Sequence, residues 1–247
     1  MSEVINFFLK IDLLNRFKNT NYNIFIMVRY CIFDTETTGL PKQRNAKPEQ
    51  HYLFPHVVQL SWLIYDDVKN TIDQIEDHII KIPEDVEIPK VCSDIHGITK
   101  EISNEKGEDI NEVLRQFTAA WLSCHILVGH NLKFDNSVLQ AEYCRNGTIN
   151  WLGRHRKIEY CTMKKGLLWT NFWLPSKFKP GTKYKKPPKL MELHQELFET
   201  IPNNLHNSMI DVFVTFRCLH QMIYERDIFD GVKHVELTDY YNNMCGL

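Results

Sequence analysis

Apolar residues recur along this chain with two periods, and the alternation between them marks out its elements. Val4, Phe7, Phe8, Ile11 and Leu14 fall at helical spacing, which predicts a short amphipathic helix within residues 3–17. A polar break at 19–23 follows, so residues 1–26 read as a helical appendage. The mostly apolar run from Met27 to Phe33 predicts a strand ending at Asp34. Residues 57–65 (VVQLSWLIY) form a second strand, with 72–82 as its hairpin partner and 66–70 as the turn. Ile110, Val113, Leu114, Phe117 and Trp121 then share one face of a helix over 109–122. A short strand at 125–128 leads into Gly129-His130-Asn131, and a helix runs from about Lys133 to Arg145 before Gly147 breaks it. Further helices are predicted at 189–199 and 206–226, the second with Met209, Val212, Phe213, Phe216, Leu219 and Ile223 in one stripe. Strand hairpins followed by helix–strand alternation predict an α/β domain over 27–227, a mixed sheet with helices on its faces. Residues 228–247 are weakly patterned and read as a C-terminal extension without assigned structure.

Composition narrows the class but does not name a partner. The 247 residues suit one packed domain, and 43% hydrophobic with 24% charged residues is ordinary for a globular protein. With 29 Lys plus Arg against 31 Asp plus Glu, the net charge of −2 gives no hint of nucleic acid, so that case rests on local distribution. Locally the picture changes. Residues 164–189 hold eight lysines, four prolines and no acid, interleaved with Trp169, Phe172, Trp173, Phe178 and Tyr184. Such a segment reads either as a basic wall along a single strand or as a solvated loop whose aromatics pack on the domain. The seven cysteines are dispersed and form no CxxC pair, which argues for reduced thiols in an intracellular, reducing compartment, cytoplasm or nucleus. No secretory pattern and no membrane-spanning apolar run is expected.

Three acidic constellations are candidates for chemistry, though each alone also reads as ordinary structure, such as an acidic turn after a buried strand or a solvent-exposed His and Asp on a helix. Asp34 and Glu36 lie at i and i+2 beside an apolar strand, so both carboxylates point to one side. Asp135 falls in the first turn of the helix after Gly129-His130-Asn131, where it either serves a site or merely favours the helix dipole. His206 precedes Asp211 by five residues. Mid-helix the two would lie about 140° apart, but a His206 placed before the helix start is free to swing over a site that Asp211 borders.

Together these segments resemble the DEDDh exonucleases of the ribonuclease H-like fold. Phe33-Asp34-Thr35-Glu36-Thr37-Thr38-Gly39-Leu40 is similar to the first motif of that family, Gly129-His130-Asn131-x-x-Phe134-Asp135 to the second, and His206-x-x-x-x-Asp211 to the third. His96-Gly97-Ile98-Thr99, Cys161-Thr162-Met163 and Tyr184-Lys185-Lys186-Pro187-Pro188-Lys189-Leu190 are also family-like, the last in a more basic and stiffer version. The resemblance covers roughly residues 28–227 and implies a mixed, mostly five-stranded sheet flanked by helices.

The resemblance further implies that Asp34, Glu36, Asp135 and Asp211 bind two Mg²⁺ ions, with Mn²⁺ able to substitute, and that His206 is the general base. Substrate contacts would come from Thr37, Leu40, His96, Ile98, Asn131, Tyr184 and Lys185, with Leu40 and Ile98 around the terminal base. Hard carboxylate oxygens suit such cations, and an imidazole ordinarily titrates near neutral pH. The expected activity is 3′→5′ hydrolysis of DNA from a free, preferably single-stranded 3′ end, giving nucleoside 5′-monophosphates. Trimming of RNA ends is the alternative within the class, and a non-catalytic nucleic-acid-binding or structural protein is the alternative outside it. With no polymerase domain in the sequence, a proofreading role would need a polymerase in trans.

Overall fold

The computed structural model describes residues 28–229 together with 238, 241–243 and 245. The predicted N-terminal helix, and most of the C-terminal extension, lie outside the described residues. The core is one five-stranded sheet. Its strands are β1 (Arg29–Thr37), β2 (Val57–Asp66), β3 (Thr71–Ile79), β4 (Ile126–Gly129) and β5 (Ile158–Cys161), in the order β3-β2-β1-β4-β5. β1, β2 and β3 form an antiparallel meander, whereas β4 and β5 run parallel to β1. The mixed sheet is therefore as predicted, although β5 carries too short an apolar run to be marked by pattern.

Helices cover both faces. α1 (Lys90–His96), α2 (Lys100–Lys106) and α3 (Ile110–Leu122) follow β3, and α4 (Leu132–Arg145) follows β4. The one-turn helices α5 (Trp151–Arg154) and α6 (Thr162–Lys165) flank β5; α7 (Leu190–Phe198) and α8 (Ser208–Tyr224) close the fold. A small ribbon of β6 (Trp173–Pro175) and β7 (Lys183–Lys185) stands between α6 and α7. It replaces the open loop as one reading of the lysine-rich segment. Among the described residues no helix is long and apolar enough to cross a membrane.

Strand alternation sorts β1 into two faces. Cys31 and Phe33 pack with Trp62, Phe117 and the α3–α4 layer, while Tyr30 and Ile32 pack with Tyr65, Phe213 and Phe216 beneath α8. Phe117 meets Phe33 and Trp62 with ring centroids 5.2 and 5.5 Å away, and burying each such ring contributes about 1.5–3 kcal/mol. β1 also runs three residues beyond the predicted end at Asp34. Glu36 and Thr37 still pair with Gln59 and Val57 of β2 across a bulge, so the ladder holds polar residues that hydrophobic pattern alone could not assign.

The connection from β1 to β2 is tied down from α4. Arg145 Nη2 donates to the carbonyls of His51, Phe54 and Pro55 at 2.9, 3.0 and 3.3 Å, and the guanidinium pairs with buried Glu142. Glu142 in turn accepts the Val57 N–H at 3.0 Å. This cluster holds residues 51–57, to which the Lys42 N–H, two residues after Leu40, is tied by a 2.8 Å hydrogen bond to the Leu53 carbonyl.

Candidate active site

β4 is short, and its pairing with β1 ends at Ile32–Val128. Past Phe33, β1 therefore has no strand neighbour on that side among the described residues, and the notch admits side chains from both helical layers. Asn131 takes φ 67°, the left-handed region that asparagine tolerates, and turns the chain from β4 into α4. A Cβ on Gly129 would lie 3.1 Å from the Leu132 side chain and 3.3 Å from the Phe33 carbonyl, so glycine suits this tight passage. The turn carries Asp135 into the notch, where Thr35 Oγ1 donates to its carboxylate at 2.7 Å.

From the other face comes the start of α8. Asn207 caps it, its side-chain oxygen accepting from the N–H groups of Met209 (3.2 Å) and Ile210 (3.4 Å). His206 lies before the cap with φ 73°, exposed, and its backbone N–H donates to Asp211 Oδ1 at 3.4 Å. Ligand atoms of Glu36, His206 and Asp211 all fall within 4.8 Å of one another. The expected position of His206 ahead of the helix, which frees it from the mid-helix angle, is thus observed.

Burial raises every carboxyl in this cluster, and repulsion adds to it at Asp34, Glu36 and Asp211. Asp34 is pushed well above the carboxylate range, first by burial and then by Asp135, Asp211 and Glu36. Burial, then Asp211 and Asp135, raise Glu36 to about 8. Asp135 rises to about 7 through burial, although Thr35 opposes the shift. Asp211 also rises to about 7, from burial, opposed by the His206 N–H and reinforced by Asp135. Among the described residues no Lys or Arg forms an ion pair with any of the four. Carboxylates crowded in a low-dielectric notch are relieved either by protonation or by a bound cation.

The carboxylates open into a cleft of about 590 Å³, walled by Leu40, Asn131, Phe134, Met163, Leu205, His206 and the Pro187-Pro188 segment. Leu40 is 80% exposed at its lip. Other expected contacts are not brought in. Ile98 is only 5% exposed and packs with Val58 and Ile82, so the apolar cluster under α1 and α2 keeps it out of the cleft. His96 is buried, its Nδ1 accepting the Ile98 N–H at 3.1 Å, and burial lowers its basicity. Thr37 is spent on a 2.7 Å hydrogen bond to the Gly39 carbonyl. Tyr184 and Lys185 stand on the β6–β7 ribbon and do not line the cleft.

Two sets of supporting residues were not singled out from sequence. Burial pushes His130 down to about 4, so it is neutral at ordinary pH. Its Nε2–H then donates to the Pro188 carbonyl at 3.2 Å, and Nδ1 accepts from the Thr162 hydroxyl at 3.0 Å. This imidazole holds the proline wall against the second motif. Behind Asp211, Ser61 Oγ meets Ser208 Oγ, Gln59 Oε1 accepts the Ser208 N–H at 3.2 Å, and Asp77 accepts from Gln59 (2.8 Å) and Ser61 (2.6 Å). Gln59 and Ser61, two polar residues in an otherwise apolar strand, were the available signal, since a buried polar side chain needs a partner.

Residues 31–219 match the model of a family described as exonuclease, of the RNase T type. No curated protein sequence matches the chain. Among solved structures, E. coli exonuclease I in complex with a dT13 oligonucleotide is similar with TM-score 0.58 and 18% identity, over 86% of this chain and 43% of that one. Its complex with a dA16 oligonucleotide gives 0.58 and 19%, over 82% and 42%. The zinc-ion-bound form of an E. coli exonuclease I–single-stranded DNA complex gives 0.59 and 18%, over 82% and 42%. At such identity the likeness is one of fold, and this chain spans less than half the length of those proteins.

Proposed function

The chain belongs to the RNase T exonuclease family, and on that premise we propose that it hydrolyses nucleic acid one nucleotide at a time from a free 3′ end, releasing nucleoside 5′-monophosphates. The observation that carries this reading is the convergence of Asp34, Glu36, Asp135 and Asp211 in one notch, each pushed toward protonation and, among the described residues, with no cationic side chain paired to it. These four carboxylates would hold divalent cations, and their hard oxygens suit Mg²⁺, with Mn²⁺ as a substitute. When bound, two such ions would lower the pKa of the attacking water and offset charge on the departing 3′ oxygen.

The chain's own residues would do the rest. His206, exposed at the rim beside Glu36 and Asp211, would take the proton from the attacking water. Its position before the Asn207 cap leaves the ring clear of the helix, while the 3.4 Å bond from its N–H to Asp211 keeps it at the site. Leu40 at the lip and Phe134 in the wall would bracket the terminal base, and the proline segment held by His130 would exclude water behind it. DNA is the proposed polymer, supported by the dT and dA oligonucleotides held by the exonuclease I structures of similar fold.

The test is incubation with Mg²⁺ and end-labelled single- and double-stranded DNA and RNA of one sequence, beside closed circular forms. Linear strands should shorten from the 3′ end and circles should survive. Degradation of un-nicked circles would overturn the end-recognition reading, and preference for the RNA strand would replace DNA as the substrate.

A further inference from the structure

The β6–β7 ribbon takes no part in the cleft, yet it is built to present groups outward. Three cross-strand pairs set its faces: Trp173 opposite Lys185, Leu174 opposite Tyr184, and Pro175 opposite Lys183. By strand alternation one face carries Trp173 with Lys183 and Lys185, and the other carries Leu174 with Tyr184. Trp173 is 51% exposed, so the first face sets a large aromatic plane between ammonium groups in water.

The tip repeats this composition more sharply. Lys177-Phe178-Lys179 sits at the turn, and the Phe178 ring is 96% exposed. This turn is not slack. Ser176 Oγ accepts the N–H groups of Phe178 (3.2 Å) and Lys179 (3.1 Å), Thr182 Oγ1 donates to the Lys179 carbonyl (2.7 Å), and the Ser176 N–H reaches the Thr182 carbonyl (2.9 Å). Gly181, at φ 80°, supplies the left-handed residue that closes it. A hydrogen-bonded turn that holds a phenyl ring in water between two lysines leaves apolar surface unanswered by the fold itself. Among the described residues none of Lys177, Lys179, Lys183 and Lys185 has an ion-pair partner.

The base of the ribbon is anchored to the cleft. The Lys186 N–H donates to the Phe172 carbonyl at 2.8 Å, and Lys186 Nζ bonds Glu192 in the first turn of α7. Pro187 and Pro188, which wall the cleft, follow at once. An object lying on the ribbon would thus be continuous with one whose end lies among the carboxylates.

We propose that the β6–β7 ribbon is a second nucleic-acid-binding element, an arm that holds the single strand upstream of the cleft by lysine–phosphate contacts and by stacking bases on Trp173 and Phe178. The charge is complementary, since no acid lies anywhere from Lys164 to Lys189. Alternating cations and aromatic planes is the composition that binds single strands without regard to sequence. The proposal deepens the exonuclease reading and rests on it.

Fluorescence anisotropy in metal-free buffer, with 5′-labelled dT oligonucleotides of about 4 and about 20 nucleotides, tests the arm separately from cleavage. Wild type should bind the long strand more tightly than the short one. In the triple variant Lys177→Gln, Lys179→Gln, Lys183→Gln the log–log salt slope for the long strand should be shallower by about 2, at roughly 0.7 per phosphate contact. Over a fourfold rise in salt that amounts to roughly a 20-fold difference in lost affinity. Phe178→Ala should cost roughly 5- to 150-fold on the long strand and much less on the short one. All four side chains stand outside the core, so unchanged melting temperatures confirm folded variants. Variants that keep wild-type affinity, salt slope and length dependence would overturn the arm, and the exposed ring would then belong to a protein contact. Failure of the wild type to trim any linear strand would instead overturn the exonuclease reading itself.

Discussion

Replacing Asp211 by Asn should make the cation-free protein more stable while abolishing its catalytic competence. The substitution keeps the shape and the oxygen that accepts the His206 N–H, and removes only the charge. Burial, with repulsion from Asp135 behind it, lifts the Asp211 carboxyl from 3.8 to about 7. At about 1.36 kcal/mol per pKa unit, about three units set a ceiling of about 4 kcal/mol on the cost of ionising it in the fold. Part of that cost is shared with Asp34, Glu36 and Asp135, so relief of about 2 kcal/mol is expected, or roughly 4–8 °C in Tm for a chain of this length. The sign follows from linkage. The folded state keeps a proton that the unfolded state has lost, so the penalty is complete above about pH 7, shrinks as pH falls, and vanishes below about pH 4. Thermal melts of both proteins in EDTA, from about pH 4.5 to about pH 8, should therefore diverge with rising pH. Added Mg²⁺ should reverse the order at high pH, because only the wild type has its full ligand set to gain from the ion. If the Asn variant melted no higher than wild type at about pH 8 without metal, the four carboxylates would not be the strained cluster described.

Three further outcomes test the parts separately. His206→Ala should lower kcat by about 10²–10⁴-fold yet keep the Mg²⁺-induced rise in Tm; loss of that rise would make the imidazole a metal ligand instead of the base. Asp34→Ala should reduce single-turnover cleavage by several decades with little rescue by excess Mn²⁺, and a loss under about tenfold would remove Asp34 from the centre of the site. Arg145→Met leaves the buried Glu142 carboxylate without its cation and should cost about 3–5 kcal/mol, seen as a Tm drop of roughly 6–20 °C that Glu142→Gln in the same chain partly restores. A double variant no better than Arg145→Met alone would show that the carbonyl contacts, not the ion pair, dominate there.

Period was enough for β1, β2, α3 and α8, because each carries an apolar repeat long enough to identify its own geometry, whereas β3, β4, α4 and α7 were placed by the turns and breaks that flank them. Motif resemblance marked Asp34, Glu36, Asp135, Asp211 and His206 as candidates, and the structure brings them to one cleft, Asp34 and Glu36 from within β1 and the other three from helix starts. Tertiary structure decided the rest. Asp135 reaches the site from the layer opposite Asp211 only because β4 stops short and, among the described residues, leaves β1 without a strand neighbour on that side past Phe33, a fact of strand pairing that no local window contains. Ile98 and His96 read as substrate contacts by resemblance, but packing against Val58 and Ile82, and the Ile98 N–H, hold them inside. The lysine-rich segment has no period to read, since a three-residue strand is too short to show one, and only pairing across its turn reveals which face Trp173 shares with the lysines. Periodicity records what a residue needs from its own element, water on one side and core on the other. Which distant residue meets it there is settled by the closing of the sheet and the helices upon it.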